Sequence, residues 1–147
     1  NRAMLMSVLH RLAGAPAGGG GLSFADVPDG QWYSQAVRWG ADQGITSGTG
    51  EGVFSPFNQV TREQTVVMLY NYTTKYLKQG TGAVANLSDY QDLDRVSEWA
   101  RPAMAWAVGQ GIVSGVNNGG LLTLEPQRGA TRAEMATMLQ AFSEKIL

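Results

Sequence analysis

An internal repeat constrains this chain more than any other feature of its sequence. Phe24-Ala-Asp26-Val, Trp32, Ala36, Trp39, Gly44-Ile45, Gly48 and Pro56 recur in the same order as Tyr90-Gln-Asp92-Leu, Trp99, Ala103, Trp106, Gly111-Ile112, Gly115 and Pro126. Each set leads into an arginine-headed apolar run, Thr61-Arg62-Glu-Gln or Thr131-Arg132-Ala-Glu, and a third such run opens the chain at Arg2-Ala-Met. Trp39 to Trp106 is a step of 67 residues and Arg62 to Arg132 a step of 70, so the last copy carries three extra residues between Gly115 and Arg132. Insertions between matching anchors belong in loops. Units of this size cannot bury their apolar faces singly, so the copies must stack, and functional sites are expected once per repeat or between repeats.

The periodicity predicts a mainly α fold, a helical repeat array with long loops. Met4, Leu5, Val8, Leu9 and Leu12 lie at helical spacing, and Gly14 with Pro16 is a stop signal. Residues 1–14 therefore read as the last helix of a truncated first repeat, 15–21 as a Gly-rich linker, 22–79 as a second repeat, 80–86 as a linker and 87–147 as a third repeat. Gly18 to Gly21 offers no side chain to pack and much backbone freedom to lose, which suits a flexible connection. The helices headed by Arg2, Arg62 and Arg132 each carry an apolar stripe and are expected to share one central bundle. An apolar face left bare by the missing half-repeat would call for cover by a second chain.

Composition narrows the function. Eight arginines and three lysines are dispersed against twelve acids for a net charge of −1, which gives no field for nucleic acid or an anionic membrane. No apolar run reaches the roughly 18 to 20 residues that span a bilayer, and the helical first residues do not read as a signal peptide, so the chain reads as a mature or excised segment. There is no cysteine, and His10 is the one histidine, expected on a partly exposed helix position; a zinc site or a catalytic triad lacks parts. No metal or other cofactor is expected. Gly48-Thr-Gly50-Glu-Gly52 precedes an extended stretch rather than a helix, unlike a dinucleotide fingerprint.

Thr61-x-x-Gln64 and Thr131-x-x-Glu134 match the capping box, which puts Arg62 and Arg132 at the first helical position. A cation there faces the positive end of the helix dipole and forgoes roughly 0.3 to 1 kcal/mol that an acid would gain. Either a neighbouring carboxylate holds each arginine, or the guanidinium forms an anion site with the free NH groups behind it. Trp39 and Trp106 fall on the inner stripe and are expected in the core. Trp32 and Trp99 begin their helices beside polar loops holding Ser47 and Ser114, a setting that suits a sugar ring bearing an acidic group.

Taken together, Phe-x-Asp-Val, a tryptophan-bearing helix ending at Gly-Ile-x-x-Gly, a Phe/Leu-x-Pro turn and Thr-Arg-x-Glu/Gln at the head of an apolar helix resemble the S-layer homology domain over nearly the whole chain. The resemblance implies a pseudo-threefold spindle around a three-helix bundle. It implies a non-catalytic anchor of a bacterial surface protein, extracellular in the cell wall or S-layer, with a cargo domain elsewhere in a longer protein. The implied partner is secondary cell-wall polysaccharide, in many members bearing a pyruvate ketal on N-acetylmannosamine, held in grooves between repeats. The motif positions carry over to Arg2, Arg62 and Arg132, to Asp26 and Asp92, to Trp32 and Trp99, and to Ser47 and Ser114 with the adjoining Gly48 and Gly115.

Two departures stand out. Glu63-Gln64 replaces the commoner Ala-Glu, and Asn1 and Met4 stand where the threonine and the box acid would be, which leaves the first helix a simple cap at most. Two rival functions remain open. One is a self-association module that assembles through repeat faces without holding glycan. The other is a glycosidase drawing two carboxylates from Asp26, Asp89, Asp92, Asp94 and Glu98, which is discounted because acids near helix starts are commonly caps.

Overall fold

The computed structural model describes residues 1–18 and 23–147. Five α-helices carry the fold: α1 (Arg2–Leu12), α2 (Ser34–Asp42), α3 (Arg62–Asn71), α4 (Arg101–Gly109) and α5 (Arg132–Lys145). Short 3-10 turns at Leu93–Arg95 and Glu98–Ala100 precede α4, and a π-turn at Tyr72–Tyr76 extends α3. Pro102 lies in the first turn of α4, where no intrahelical donor is lost. Trp32 precedes α2 rather than lying on it, since that helix begins only at Ser34. The extra residues of the last repeat form an antiparallel hairpin of β1 (Val116–Asn118) and β2 (Leu121–Thr123), a turn of structure that periodicity in so short a stretch does not disclose.

The starts of α1, α3 and α5 are closed by the sequence's own caps, whereas α2 and α4 begin without a side-chain cap. Thr61 and Thr131 each accept from the third helical NH at 3.1 Å, while Gln64 and Glu134 each accept the cap's own NH at 3.1 Å. Asn1 accepts from Met4 N at 2.9 Å.

Two of the arginine-headed helices, α1 and α3, also lean on the repeat that follows them. α1 packs on α2, and α3 packs on α4. The first two amides of α1 donate to Asn58 O (3.1 Å) and Pro56 O (2.8 Å), and those of α3 donate to Arg128 O (3.0 Å) and Pro126 O (2.8 Å). The Pro turn of one repeat thus satisfies donors that the preceding helix cannot satisfy internally. Among the described residues the matching amides of Arg132 and Ala133 have no such turn. Glu63, buried at the start of α3, accepts from Ser97 N (3.0 Å) and Ser97 Oγ (2.7 Å), tying α3 to the turn that opens the next repeat.

The repeats are joined internally by rings. Trp39 and Trp106 are buried, as expected, and the contacts His10–Trp39 (5.3 Å), Trp39–Tyr72 (6.3 Å), Tyr72–Phe142 (5.8 Å) and Trp106–Phe142 (6.5 Å) run from α1 to α5. Offset and edge-on rings of this kind add to the area they bury. Of the arginine-headed helices, α5 meets the end of α3 through Tyr72 and Phe142. His10, expected partly exposed, is buried against Trp39 with Nε2 2.7 Å from Pro16 O.

Of the expected Gly-rich linker and the start of the second repeat, residues 19–22 lie outside the described residues. The stretch expected as a second linker is fastened down: Ala85 N donates to Ala105 O at 2.9 Å, and Gln110 Nε2 donates to Thr81 O and Ala83 O.

Candidate functional site

Asp26 and Asp92 act first on the backbone. Asp26 accepts from Phe54 N (2.9 Å) and Ser55 N (2.8 Å), and Asp92 accepts from Leu124 N and Glu125 N, both at 2.8 Å. The carbonyls of the same two residues receive the motif arginines: Arg2 Nε donates to Phe54 O at 2.8 Å and Arg62 Nε to Leu124 O at 2.9 Å. Each aspartate therefore pins the strand-like segment that aims the arginine of the preceding repeat. Burial works against ionisation of Asp26, but the Phe54 and Ser55 amides and the charge of Arg2 together hold its carboxyl below the usual range.

Beyond that shared frame the two arginines differ. Arg62 is 4% exposed and both its terminal amino groups are engaged, Nη1 by Glu134 Oε2 at 2.6 Å and Nη2 by Ser114 O at 3.4 Å. Glu134 is gripped again by Arg128, which also pairs with Glu125. The hydrogen bond from Arg128, against some desolvation, and those from Thr131, with the charge of Arg62, pull the Glu134 carboxyl down to about 2.

The repeat step of 70 residues places Ser55, Asn58 and Gln64 where the later copy has Glu125, Arg128 and Glu134. These three charged residues near Arg62 are thus neutral at the matching places around Arg2, while Asp26 keeps the place of Asp92. Arg2 is 2% exposed, stacks its guanidinium 4.7 Å from the Phe54 ring centre, and finds no partner among the described residues for its two terminal amino groups. Desolvation, partly offset by Asp26, lowers its pKa to about 10. A cation that burial destabilises to this degree gains from an added anion.

Arg2 opens onto a groove of about 730 Å³ between repeats. One wall is the loop Thr46-Ser47-Gly48-Thr49, the floor is α3 from Gln64 to Asn71, and the opposite wall is Trp99 with Pro102 and Ala103. None of its lining residues is acidic, and Arg2 and Lys75 are its two cations. Trp99 is 60% exposed and offers a broad apolar face beside neutral donors and acceptors. Gly48 is required by the backbone: with φ of +91°, a Cβ would lie 2.3 Å from Val53 O.

The expected residues are thus sorted by the fold. Arg2, Ser47, Gly48 and Trp99 share this groove although they come from three different repeats. Arg62 and Ser114 meet in the equivalent position of the last repeat, with Gly115 adjoining, where Leu122 and Tyr90 crowd Gly115 at 2.6 Å from a would-be Cβ. Arg132 is exposed, and Trp32 packs edge-on against Tyr33 and away from the groove. Asp26 and Asp92 stand behind the arginines. Gln64 and Lys75 were not singled out as site residues; the signal for Gln64 was its departure from the acid expected in the box, and for Lys75 its recurrence as Lys145 at the same distance from the motif arginine.

The sequence profile of the S-layer homology domain matches residues 23–66 and 89–136. The chain belongs to the S-layer homology family. Relatives include an amylopullulanase of Thermoanaerobacterium thermosulfurigenes, 33% identical over 83% of this chain and 6% of that protein. A surface-layer 125 kDa protein of Lysinibacillus sphaericus is 28% identical over 86% of the chain and 10% of its own length. A cellulosome-anchoring protein of Acetivibrio thermocellus is 25% identical over 98% of the chain and 32% of its own length. The chain therefore spans at most about a third of the length of these relatives. Among the described residues no helix is long and apolar enough to cross a membrane, and no group of His, Cys, Asp or Glu is arranged to hold a metal ion.

Proposed function

We propose that the chain is a non-catalytic anchoring module of a bacterial surface protein that binds acidic secondary cell-wall polysaccharide in the groove at Arg2. The observation that carries this reading is the unpaired guanidinium fork of Arg2 in a groove without acids, set against the self-satisfied Arg62. The planar fork of this buried arginine matches a carboxylate such as that of a pyruvate ketal, and Trp99 offers a face for the sugar ring beneath it. A glycosidase would need paired acids at the groove, whereas Asp26 and Asp92 are committed to backbone amides. The surface-layer and cellulosome-anchoring names of two relatives accord with a cell-wall location.

A second reading has its own observation. Among the described residues the amides of Arg132 and Ala133 lack the Pro turn that closes the other two arginine-headed helices, and Trp32 and Phe57 are 60% and 64% exposed. A further half-repeat, from this protein or another copy, would fill those places and complete a pseudo-threefold spindle.

The test is calorimetric titration of purified cell-wall polysaccharide into the chain at dilute concentration, before and after chemical removal of the glycan's acidic groups. Binding should fall by about tenfold or more on neutralisation, and again in Arg2→Gln. Undiminished affinity for the neutralised glycan would overturn the role of Arg2, and absence of binding to either glycan would favour self-association, checked by sedimentation.

A further inference from the structure

Resting on that reading of the Arg2 groove, we propose that Lys75 forms a second anion subsite at its far end, so that the ligand is an oligosaccharide segment with acidic groups at two positions rather than a single acidic sugar. Gln64 lines the groove beside Arg2, and Lys75 follows it eleven residues later along α3 and its π-turn, a span of about 16 Å at 1.5 Å per residue. That length exceeds one pyranose ring. The lining between the two ends is neutral: Thr46, Ser47, Asn71 and Tyr70 offer hydrogen bonds, and Trp99 an apolar face. Lys75 makes no ion pair with any described residue.

Its side chain is also placed rather than free. The Lys75 stem runs across Gly44, with Cδ 3.1 Å and Nζ 3.8 Å from where a Cβ on that glycine would lie. Gly44 has φ of +74°, and the absence of a side chain there leaves the track that carries the ammonium to the groove. The device recurs one repeat later, where Lys145 Nζ lies 3.8 Å from the same point above Gly111, also at φ +74°. The alternative use of this placement is structural, since Gly44 ends α2 and a cation there complements the helix dipole. The π-turn helps in either case by redirecting the chain at Tyr72–Tyr76.

The experiment titrates cell-wall polysaccharide extracted from Lysinibacillus sphaericus, size-fractionated into fragments of one, two and three repeating units, into the wild-type chain, Lys75→Gln, Arg2→Gln and Lys145→Gln. Lys75→Gln should weaken binding of the longer fragments about 3- to 10-fold, the range for one partly exposed charge contact, while leaving the shortest fragment unchanged. The loss should shrink as salt is raised. Lys145→Gln should bind as wild type, because Lys145 does not line the Arg2 groove and the matching arginine, Arg62, is already paired with Glu134. Equal affinity of wild type and Lys75→Gln for all fragments overturns the second subsite while leaving Arg2 in place. A fall in melting temperature that accounts for the lost binding makes Lys75 a helix-end partner instead. No binding by the wild-type chain overturns both this inference and the function it rests on.

Discussion

Gln64→Glu isolates the reason why the Arg2 groove is open. The later repeat already carries the perturbed arrangement, with Glu134 Oε2 2.6 Å from Arg62 Nη1 at the same capping-box position. A glutamate at 64 would keep the backward hydrogen bond to Thr61 N, and as an acid in the first turn it would gain roughly 0.3 to 1 kcal/mol from the helix dipole. It would also bring a carboxylate to Arg2, whose burial currently lowers its pKa to about 10. Stability should therefore be unchanged or higher. Binding should move the other way, because an anionic ligand must displace a charge-assisted hydrogen bond of about 1.5 to 3 kcal/mol, which at 1.4 kcal/mol per decade is about 10- to 100-fold in affinity. The assay pairs thermal melting with calorimetric titration of cell-wall polysaccharide, in wild type, Gln64→Glu, Arg2→Gln and the double variant. If the glutamate acts through Arg2, the double variant binds no worse than Arg2→Gln alone. Unchanged or tighter binding by Gln64→Glu would refute the argument, and so would a drop in melting temperature large enough to explain the loss.

Three further outcomes follow from the same contacts. Arg62→Ala should destabilise the fold by about 1 to 3 kcal/mol in chemical denaturation, because it removes the donor to the Leu124 and Ser114 carbonyls while Glu134 keeps Arg128; a shift below about 0.5 kcal/mol would show that these contacts are not structural. Thr61→Ala and Thr131→Ala should each cost about 1 kcal/mol with little change in glycan affinity, and equal losses of stability and binding would give the threonines a direct ligand role. Glu134 titrates near 2 in the fold against an ordinary value of 4.5, so its contribution is fully present above about pH 4.5 and lost as pH falls towards 2; Glu134→Gln should flatten that acid limb of the stability curve, and an unaltered curve would place the acid sensitivity elsewhere.

Much of the architecture was legible because it is local. Periodicity located the five helices, Thr61 and Thr131 announced their caps, and the burial of Trp39 and Trp106 followed from their place on an apolar stripe. Trp32 was misplaced onto α2 and His10 onto a partly exposed face, since helix starts and the reach of a neighbouring ring depend on contacts far away in sequence.

The sequence by itself determined that the chain is a repeat array, which family it belongs to and which arginines are equivalent by position, because spacing and residue type survive without coordinates. It also contained the substitution of Gln64 for the box acid, but gave no way to tell which arginine that residue faces. Only the tertiary structure decided that Gln64 shares a groove with Arg2 of the preceding repeat while Glu134 lies against Arg62, and that Trp99 of the following repeat lines the same groove. The physical reason is that the helices headed by Arg2 and Arg62 each dock onto the Pro turn of the next repeat, so the surroundings of both arginines are assembled across copies. Equivalent positions then acquire different electrostatics from their neighbours, leaving one guanidinium neutralised within the fold and the other open to an anion.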